Sequence, residues 1–381
     1  MSRQAASEAV LVYVGVLFIM ALSTVIVPIL DVLAKEPFWS SVLFSAYSAG
    51  ALASLIPFGV LTDRYGASRV LVLSLVLTKA SGVGLLVFSD VSLLVAVRFV
   101  EGLGCGAFFP SALSLLSAHS DYGKRAVIFS FLMNGGFAAG SIAGGALAHL
   151  AVKGGIYLFT IPLLLITLYG LIAASERGAY PARQSYGRSF AKALGTSFRL
   201  FFSKELLPLW VMCIVVFGAT GAVVALYPFY TAQSLTKLTQ GVAIGSIYMG
   251  GMLASPVVGY IRRLSVSQML KGGAAITALG ILATIFTPIG LLIFGLGGGF
   301  VFIGAVVYIS QMARSTMSTT RGLLMGTLSS MVYIGFAVVP PVSGSLYPIL
   351  SLAQIIALNA LIVLAAVILI ATRGEHGAKS A

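Results

Sequence analysis

Apolar residues run through this chain in long unbroken stretches, and short polar clusters interrupt them at a nearly regular spacing. About 20 mostly apolar residues make a helix long enough to cross a bilayer. Such stretches fall at residues 9–32, 38–61, 69–89, 91–117, 125–150, 154–175, 206–232, 240–261, 268–287, 289–312, 322–347 and 349–372. Membrane-barrel strands would instead alternate apolar and polar positions over short segments. The pattern predicts an all-α membrane protein with twelve transmembrane helices. Composition agrees: hydrophobic residues fill 59% of 381 positions and charged residues only 9%. A soluble domain carries about 25% charged residues. Lipid must therefore be the solvent for most of this surface, and backbone groups in lipid need partners inside their own segment.

One polar stretch, 176–205, divides the chain. It separates an N-terminal six-helix bundle, 1–175, from a C-terminal one, 206–381, and reads as a cytoplasmic linker. Within it Phe190, Leu194, Phe198 and Phe201 recur at helical spacing among Arg188, Lys192 and Arg199. That suits a helix lying on the inner membrane surface; a plain solvated connector is the alternative. The apolar run after the first ten residues contains Pro28 and has no small-residue cleavage signal, so it reads as the first span rather than a removed signal peptide.

The net charge of +13 would suggest nucleic acid in a soluble protein. Here the arrangement of the charge gives another cause. With the N-terminus inside, seventeen lysines and arginines fall on inner segments, among them Arg3, Arg64, Arg69, Arg125, Arg199 and Arg314. Only Lys35, Lys153 and Lys237 fall on outer loops. Lysine and arginine concentrate on cytoplasmic loops, so both termini are expected in the cytoplasm and no nucleic-acid partner is expected. Cys105 and Cys213 lie inside apolar runs and suggest neither a disulfide nor a metal site. No cofactor is indicated.

The two halves repeat. Pro28 matches Pro228; the segment ending at Gly59 matches the one ending at Gly259; Gly102-Leu103-Gly104-Cys105-Gly106 resembles Gly295-Leu296-Gly297-Gly298-Gly299; residues 140–145 match 339–344. With six spans each, both halves start on the same side of the membrane, as parallel repeats about an axis along its normal. Such halves can rock about a central cavity, which is the geometry of alternating access.

Gly59-Val60-Leu61-Thr62-Asp63-Arg64-Tyr65-Gly66-Ala67-Ser68-Arg69 resembles the signature loop of the major facilitator superfamily, departing from it at Ala67 and Ser68. Arg98-Phe99-Val100-Glu101-Gly102-Leu103-Gly104 resembles the R-x-x-Q-G-x-G element, with Glu101 in the glutamine place. Residues 140–145 resemble the antiporter G-P-x-x-G-G element, with Ser141 replacing its proline. The resemblance implies a transporter. It implies that Gly59, Asp63, Arg64, Gly66 and Arg69 form a cytoplasmic gate, in which Asp63 caps a neighbouring helix and pairs with a loop arginine. Spans one, four, seven and ten would line the central cavity. Gly136, Gly140, Gly144 and Gly145 present a small face suited to close helix packing.

An arginine at mid-membrane costs roughly 2.5–3.5 kcal/mol on insertion scales and marks function by default. Arg98 is such a residue, and Glu101 lies one turn on, within pairing distance. Arg98 is expected to face the cavity and attract an anion, with Glu101 carrying a proton; a structural pair is the alternative. Asp31, near the outer end of span one, is a second candidate for proton coupling. Tyr13, Tyr227 and Tyr308 fall on the presumed lining spans and offer an apolar face with one hydroxyl. Lys79 suits a structural partner.

No phosphate-cradling glycine loop is present, which disfavours ATP-driven pumping. His119, His149 and His376 are scattered, which disfavours a membrane enzyme. The expected protein is a monomeric secondary transporter in a prokaryotic plasma membrane. It would move a small organic solute, an anion such as a carboxylate, coupled to protons. Phe108-Phe109-Pro110-Ser111 resembles anion-symporter relatives. Export of hydrophobic or drug-like compounds is the main alternative, and a channel or sensor the remote one.

Overall fold

The computed structural model describes residues 3–117, 121–175, 195, 199–203, 205–260, 264–315 and 321–378. Among them every regular element is helical. Eleven helices are long and apolar enough to cross a membrane, and Leu352–Ile368 forms a shorter apolar helical stretch. Most of the 176–205 linker, including Phe190, Leu194 and Phe198, lies outside the described residues. Outward-facing side chains confirm the solvent. The sixth span exposes Ile161, Leu165, Leu168 and Ile172 along one face, a stripe that water would not tolerate.

The first half runs α1 (Arg3–Val25), α2 (Leu30–Ala34), α3 (Pro37–Tyr65), α4 (Ala67–Val87), α5 (Val91–Ser117), α6 (Tyr122–Leu147) and α7 (Gly154–Ser175). The second runs α8 (Leu207–Tyr230), α9 (Lys237–Tyr260), α10 (Val266–Ala283), α11 (Ile289–Ser315), α12 (Arg321–Ser345) and α13 (Leu352–Ala378). The first span is broken. A 3₁₀ turn at Val27–Ile29 separates α1 from α2, because Pro28 has no N–H to continue the ladder. Pro228, its sequence match, sits inside the last turn of α8 without breaking it.

Two compact units emerge. One gathers the described residues of Met1–Lys35, Ala46–Leu194 and Leu235–Gly245; the other gathers those of Glu36–Ser45, Gly195–Ser234 and Ser246–Ala381. Thus α3 and α9 each give their first turns to one unit and their remainder to the other. Inside the first unit the dominant pairings are α1 with α6, α4 with α5, α4 with α7 and α1 with α7. Inside the second they are α8 with α12, α10 with α11, α10 with α13 and α8 with α13. These are the same four pairings, one for one, so the duplication in the sequence is a duplication in packing.

Glycine sets those pairings. Lipid is as apolar as leucine, so helices in a membrane associate by close contact rather than by expelling water. On α6, a Cβ at Gly136, Gly140 or Gly144 would overlap the carbonyl of Leu17, Ala21 or Val25 on α1. The contact repeats every four residues on both helices, which therefore run parallel with backbones touching. The opposite edge of α6 meets α9: a Cβ at Gly145 would strike the Lys237 carbonyl. The second unit repeats this seam, with Gly344 of α12 against Pro37 and Ser41 of α3. Likewise Gly50 against Phe99 and Gly102 against Tyr47 recur as Gly250 against Leu292 and Gly295 against Ile247. The repeat offsets are 200 on one helix and 193 on the other, the offsets read from the sequence.

Gly140→Ala is expected to destabilise the protein by about 2 kcal/mol, because its carbonyl neighbour belongs to a rigid helix. Gly135→Ala, where a Cβ meets nothing within 4 Å, is expected to stay within about 0.5 kcal/mol. Thermal unfolding of both variants in detergent checks this.

Candidate functional site

Among the described residues two charged side chains are fully buried, Arg98 and Glu101 of the first unit, and they pair with each other. Arg98 on α5 donates from Nη1 to Glu101 Oε2 at 2.6 Å, one turn along the same helix, and from Nη2 to the Ser23 carbonyl of α1 at 3.1 Å. Its guanidinium carbon lies 4.9 Å from the centroid of the Tyr47 ring on α3, a cation–π contact. The Tyr47 hydroxyl in turn donates to Cys105 Sγ at 2.8 Å. Ser81 of α4 lies beside the Glu101 carboxyl. Arg98 is 1% exposed and Glu101 0%. Two atoms stay without a partner: Arg98 Nε and Glu101 Oε1. The carboxylate is therefore held firmly by one oxygen, while the other is buried beside Ser81 without a well-formed hydrogen bond.

The repeat makes this pair stand out. By the offset that matches Gly102 to Gly295, Arg98 corresponds to Leu291 and Glu101 to Phe294, both fully buried. Plain hydrocarbon suffices at those two places in one unit. The fold does not require charges there, and two charges out of water cost several kcal/mol each before pairing returns part of it.

A second pair lies at the α6–α9 seam of the same unit. Lys237 Nζ donates to both carboxylate oxygens of Asp31 at 2.6 Å and to Gln240 Oε1 at 3.0 Å. Sequence reasoning placed Lys237 on an outer loop and missed the partner, which is 206 residues away. Gln240, one turn into α9 and fully buried, was the available signal. The matching positions in the second unit are Thr231 and Pro37. There the seam is held by neutral hydrogen bonds, Ser40 Oγ to the Ala225 carbonyl and Ser45 Oγ to the Phe336 carbonyl, each at 2.8 Å.

The remaining candidates are dispersed. Tyr13 lies on α1 ten residues before Ser23, roughly 15 Å along the axis from the Arg98 contact. Tyr227 is fully buried on α8. Tyr308 packs on the cluster around Trp210, seventeen residues and roughly 25 Å from Tyr227 along α8. Tyr13 belongs to the first unit, and Tyr227 and Tyr308 to the second. Between α3 and α4, Gly66 takes φ +92°, a conformation reserved for glycine, and turns the chain sharply. Asp63, Arg64 and Arg69 are exposed there, and Arg64 covers the Tyr65 ring at 5.3 Å. Gly59 has open space around it. Ser68 ties this turn to α1 through Glu8 Oε1 at 3.3 Å. Outside the spans, Lys153 donates to the Leu86 carbonyl at 3.2 Å and to that of Phe88 at the end of α4; burial lowers its pKa from the ordinary lysine value. No group of three or more metal-ligating side chains occurs among the described residues.

Comparison with known proteins adds context. A family model described as Major Facilitator Superfamily matches residues 11–320. The methylenomycin A resistance protein of Bacillus subtilis is 26% identical over 54% of this chain and 46% of its own length. The 3-(3-hydroxy-phenyl)propionate transporter of Escherichia coli is 26% identical over 68% of this chain and 64% of its own. The 4-hydroxybenzoate transporter PcaK of Pseudomonas aeruginosa is 25% identical over 57% and 56%. The chain thus spans about half to two thirds of the length of these three relatives. A mutant of the nucleoside transporter NupG superposes with a TM-score of 0.79 at 12% identity, covering 97% of this chain and 99% of that one; this likeness concerns the fold.

Arg98→Met leaves the Glu101 carboxylate buried alone and is expected to cost about 3–5 kcal/mol. Arg98→Met combined with Glu101→Leu, which copies the apolar chemistry of the second unit, is expected to recover most of that loss. Unfolding midpoints of the single and double variants measure it.

Proposed function

Because this chain belongs to the Major Facilitator Superfamily, we propose that it is a secondary active transporter that moves a small organic anion, a carboxylate, by alternating access coupled to protons. It would act as a monomer in a prokaryotic plasma membrane with both termini in the cytoplasm. The observation that carries the reading is the Arg98–Glu101 pair, buried in one repeat where the other places Leu291 and Phe294. An intramembrane ion pair that the fold does not need is an expense retained for work.

The work proposed is electroneutral cotransport of a proton and an anion. Glu101 Oε1 is open to a proton while Oε2 stays on Arg98. Once Glu101 is protonated, Arg98 holds an uncompensated positive charge in low dielectric. A substrate carboxylate restores the balance, so proton and anion are favoured together and neither alone. Asp31, held by Lys237, closes the α6–α9 seam in this conformation and would release it when the pair separates. The turn at Gly66, with Asp63, Arg64 and Arg69, is the proposed cytoplasmic gate, and Gly59 gives it room. Tyr13, Tyr227 and Tyr308 are proposed to contact substrate at different stages of passage. Two relatives named for hydroxylated aromatic carboxylates support the anion class.

A second reading, export of hydrophobic compounds, is favoured by the glycine face of α6 and by the relative named for methylenomycin A resistance.

In proteoliposomes, an inward proton gradient is expected to drive saturable accumulation of labelled 4-hydroxybenzoate. Glu101→Gln is expected to abolish that accumulation while keeping exchange of labelled for unlabelled substrate. Gradient-driven accumulation at the normal level in Glu101→Gln would refute the proton role. Uptake of lipophilic cations but of no carboxylate would favour the second reading.

A further inference from the structure

The first unit holds a third polar cluster, roughly 15 Å along α1 from the Arg98 contact. Arg125, at the start of α6, donates from Nε to Asp121 Oδ1 at 2.6 Å. Its side chain is 16% exposed, whereas that of Asp121 is 49% exposed. Only the Nε edge of the fork is engaged in this way; a guanidinium carries five donors, and its two Nη groups form the edge that matches a carboxylate. The other polar neighbour of Arg125 among the described residues is the Tyr13 hydroxyl on α1, which it faces closely enough to interact electrostatically. That hydroxyl is sealed from solvent and makes no well-formed hydrogen bond.

A buried hydroxyl without a partner is uncommon in a folded protein and calls for an explanation. The repeat sharpens the point. By the packing that sets Leu17 against Gly136 and Ile214 against Gly335, a register three residues short of the one that matches Pro28 to Pro228, Tyr13 corresponds to Trp210. The Trp210 indole N–H is satisfied by the Leu200 carbonyl at 3.1 Å. The polar group at that place in the second unit is satisfied by a backbone carbonyl, whereas in the first it faces the Arg125 guanidinium without a well-formed hydrogen bond.

Aromatic rings flank the Arg125 side of this cluster. Phe129 lies one helical turn beyond Arg125 on α6. It stacks on Phe108 of α5 with centroids 6.4 Å apart, and meets Phe109 edge-on at 5.9 Å. Phe109 is only half-buried, so its ring is free to meet a further aromatic group in the offset or edge geometry such rings prefer.

Resting on the proposed transport of an organic carboxylate, we infer that Arg125 and Tyr13 form a recognition site for an aromatic monocarboxylate, separate from the Arg98–Glu101 pair. The carboxylate lies across the two Nη groups, the Tyr13 hydroxyl donates to one of its oxygens, and the substrate ring rests against Phe109. Asp121 acts as a positioning residue that holds the guanidinium through Nε and leaves the Nη edge outward. The ligand is an acid whose carboxylate stands on the ring or within a short chain of it.

Calorimetric titration of the full chain in lipid nanodiscs with benzoate, and with neutral benzamide, tests this. Benzoate is expected to bind the unaltered protein more tightly than benzamide. Arg125→Gln is expected to weaken benzoate at least about tenfold, the loss of a bidentate charge-assisted contact, and to leave benzamide within about twofold. Tyr13→Phe, which removes one oxygen and keeps the ring, is expected to weaken benzoate by about threefold to tenfold. Arg125→Lys, with charge but no fork, is expected to fall between Arg125→Gln and the unaltered protein. Benzoate affinity unchanged within about twofold in both Arg125→Gln and Tyr13→Phe would overturn the site. If Arg98→Gln then lost benzoate instead, the organic-anion reading would stand without this site. An unaltered protein that binds no carboxylate would overturn that reading itself.

Discussion

Helices in lipid hold together only where their backbones can touch, and this constraint organises the molecule. Burial of one leucine against another gains little when the alternative partner is a lipid tail, so contact distance replaces hydrophobicity as the selecting variable. The stripe Gly136, Gly140 and Gly144 meets consecutive carbonyls of α1 at matching intervals. The same device recurs at equivalent positions of both units, where Gly50 and Gly102 answer to Gly250 and Gly295. Residues of zero side-chain volume thus fix helix register as firmly as large residues fix it in a water-soluble core.

Against that shared frame the two units differ in charge. The pair Arg98–Glu101, the pair Asp31–Lys237 and the Arg125–Tyr13 cluster all belong to the first unit, and their matched positions Leu291, Phe294, Thr231, Pro37 and Trp210 carry no ionisable partner. A duplicated scaffold gives an internal control: whatever one copy does without is not demanded by packing. Charges in a low-dielectric interior must be balanced where they stand, so each of these groups constrains what enters and leaves its neighbourhood. In the proposed cycle, proton and anion are coupled by charge balance around Arg98, without any large structural signal between distant sites.

Helix number, the duplication and the i, i+3 relation of Arg98 to Glu101 were legible in the sequence because each depends on local spacing. Long apolar runs, repeated glycine text and a charge one turn from its opposite all write themselves along the chain. What the spacing could not show was tertiary. Lys237 looked like an outer-loop cation, and its tie to Asp31 joins residues 206 apart. Arg125 counted as one more inner-loop charge, and its approach to Tyr13 depends on α1 and α6 lying in register. Pro28 and Pro228 match in sequence yet act differently: one breaks its helix and the other rides inside it.

The central claim is that Glu101 takes up a proton as an anion reaches the first unit. Infrared difference spectroscopy of the reconstituted protein reads this directly, through the C=O stretch of a protonated carboxyl group. Addition of 4-hydroxybenzoate to the unaltered protein is predicted to produce that band, and Glu101→Gln is predicted to lack it. A spectrum in which substrate binds and no carboxyl becomes protonated, or in which the band persists in Glu101→Gln, would contradict the account.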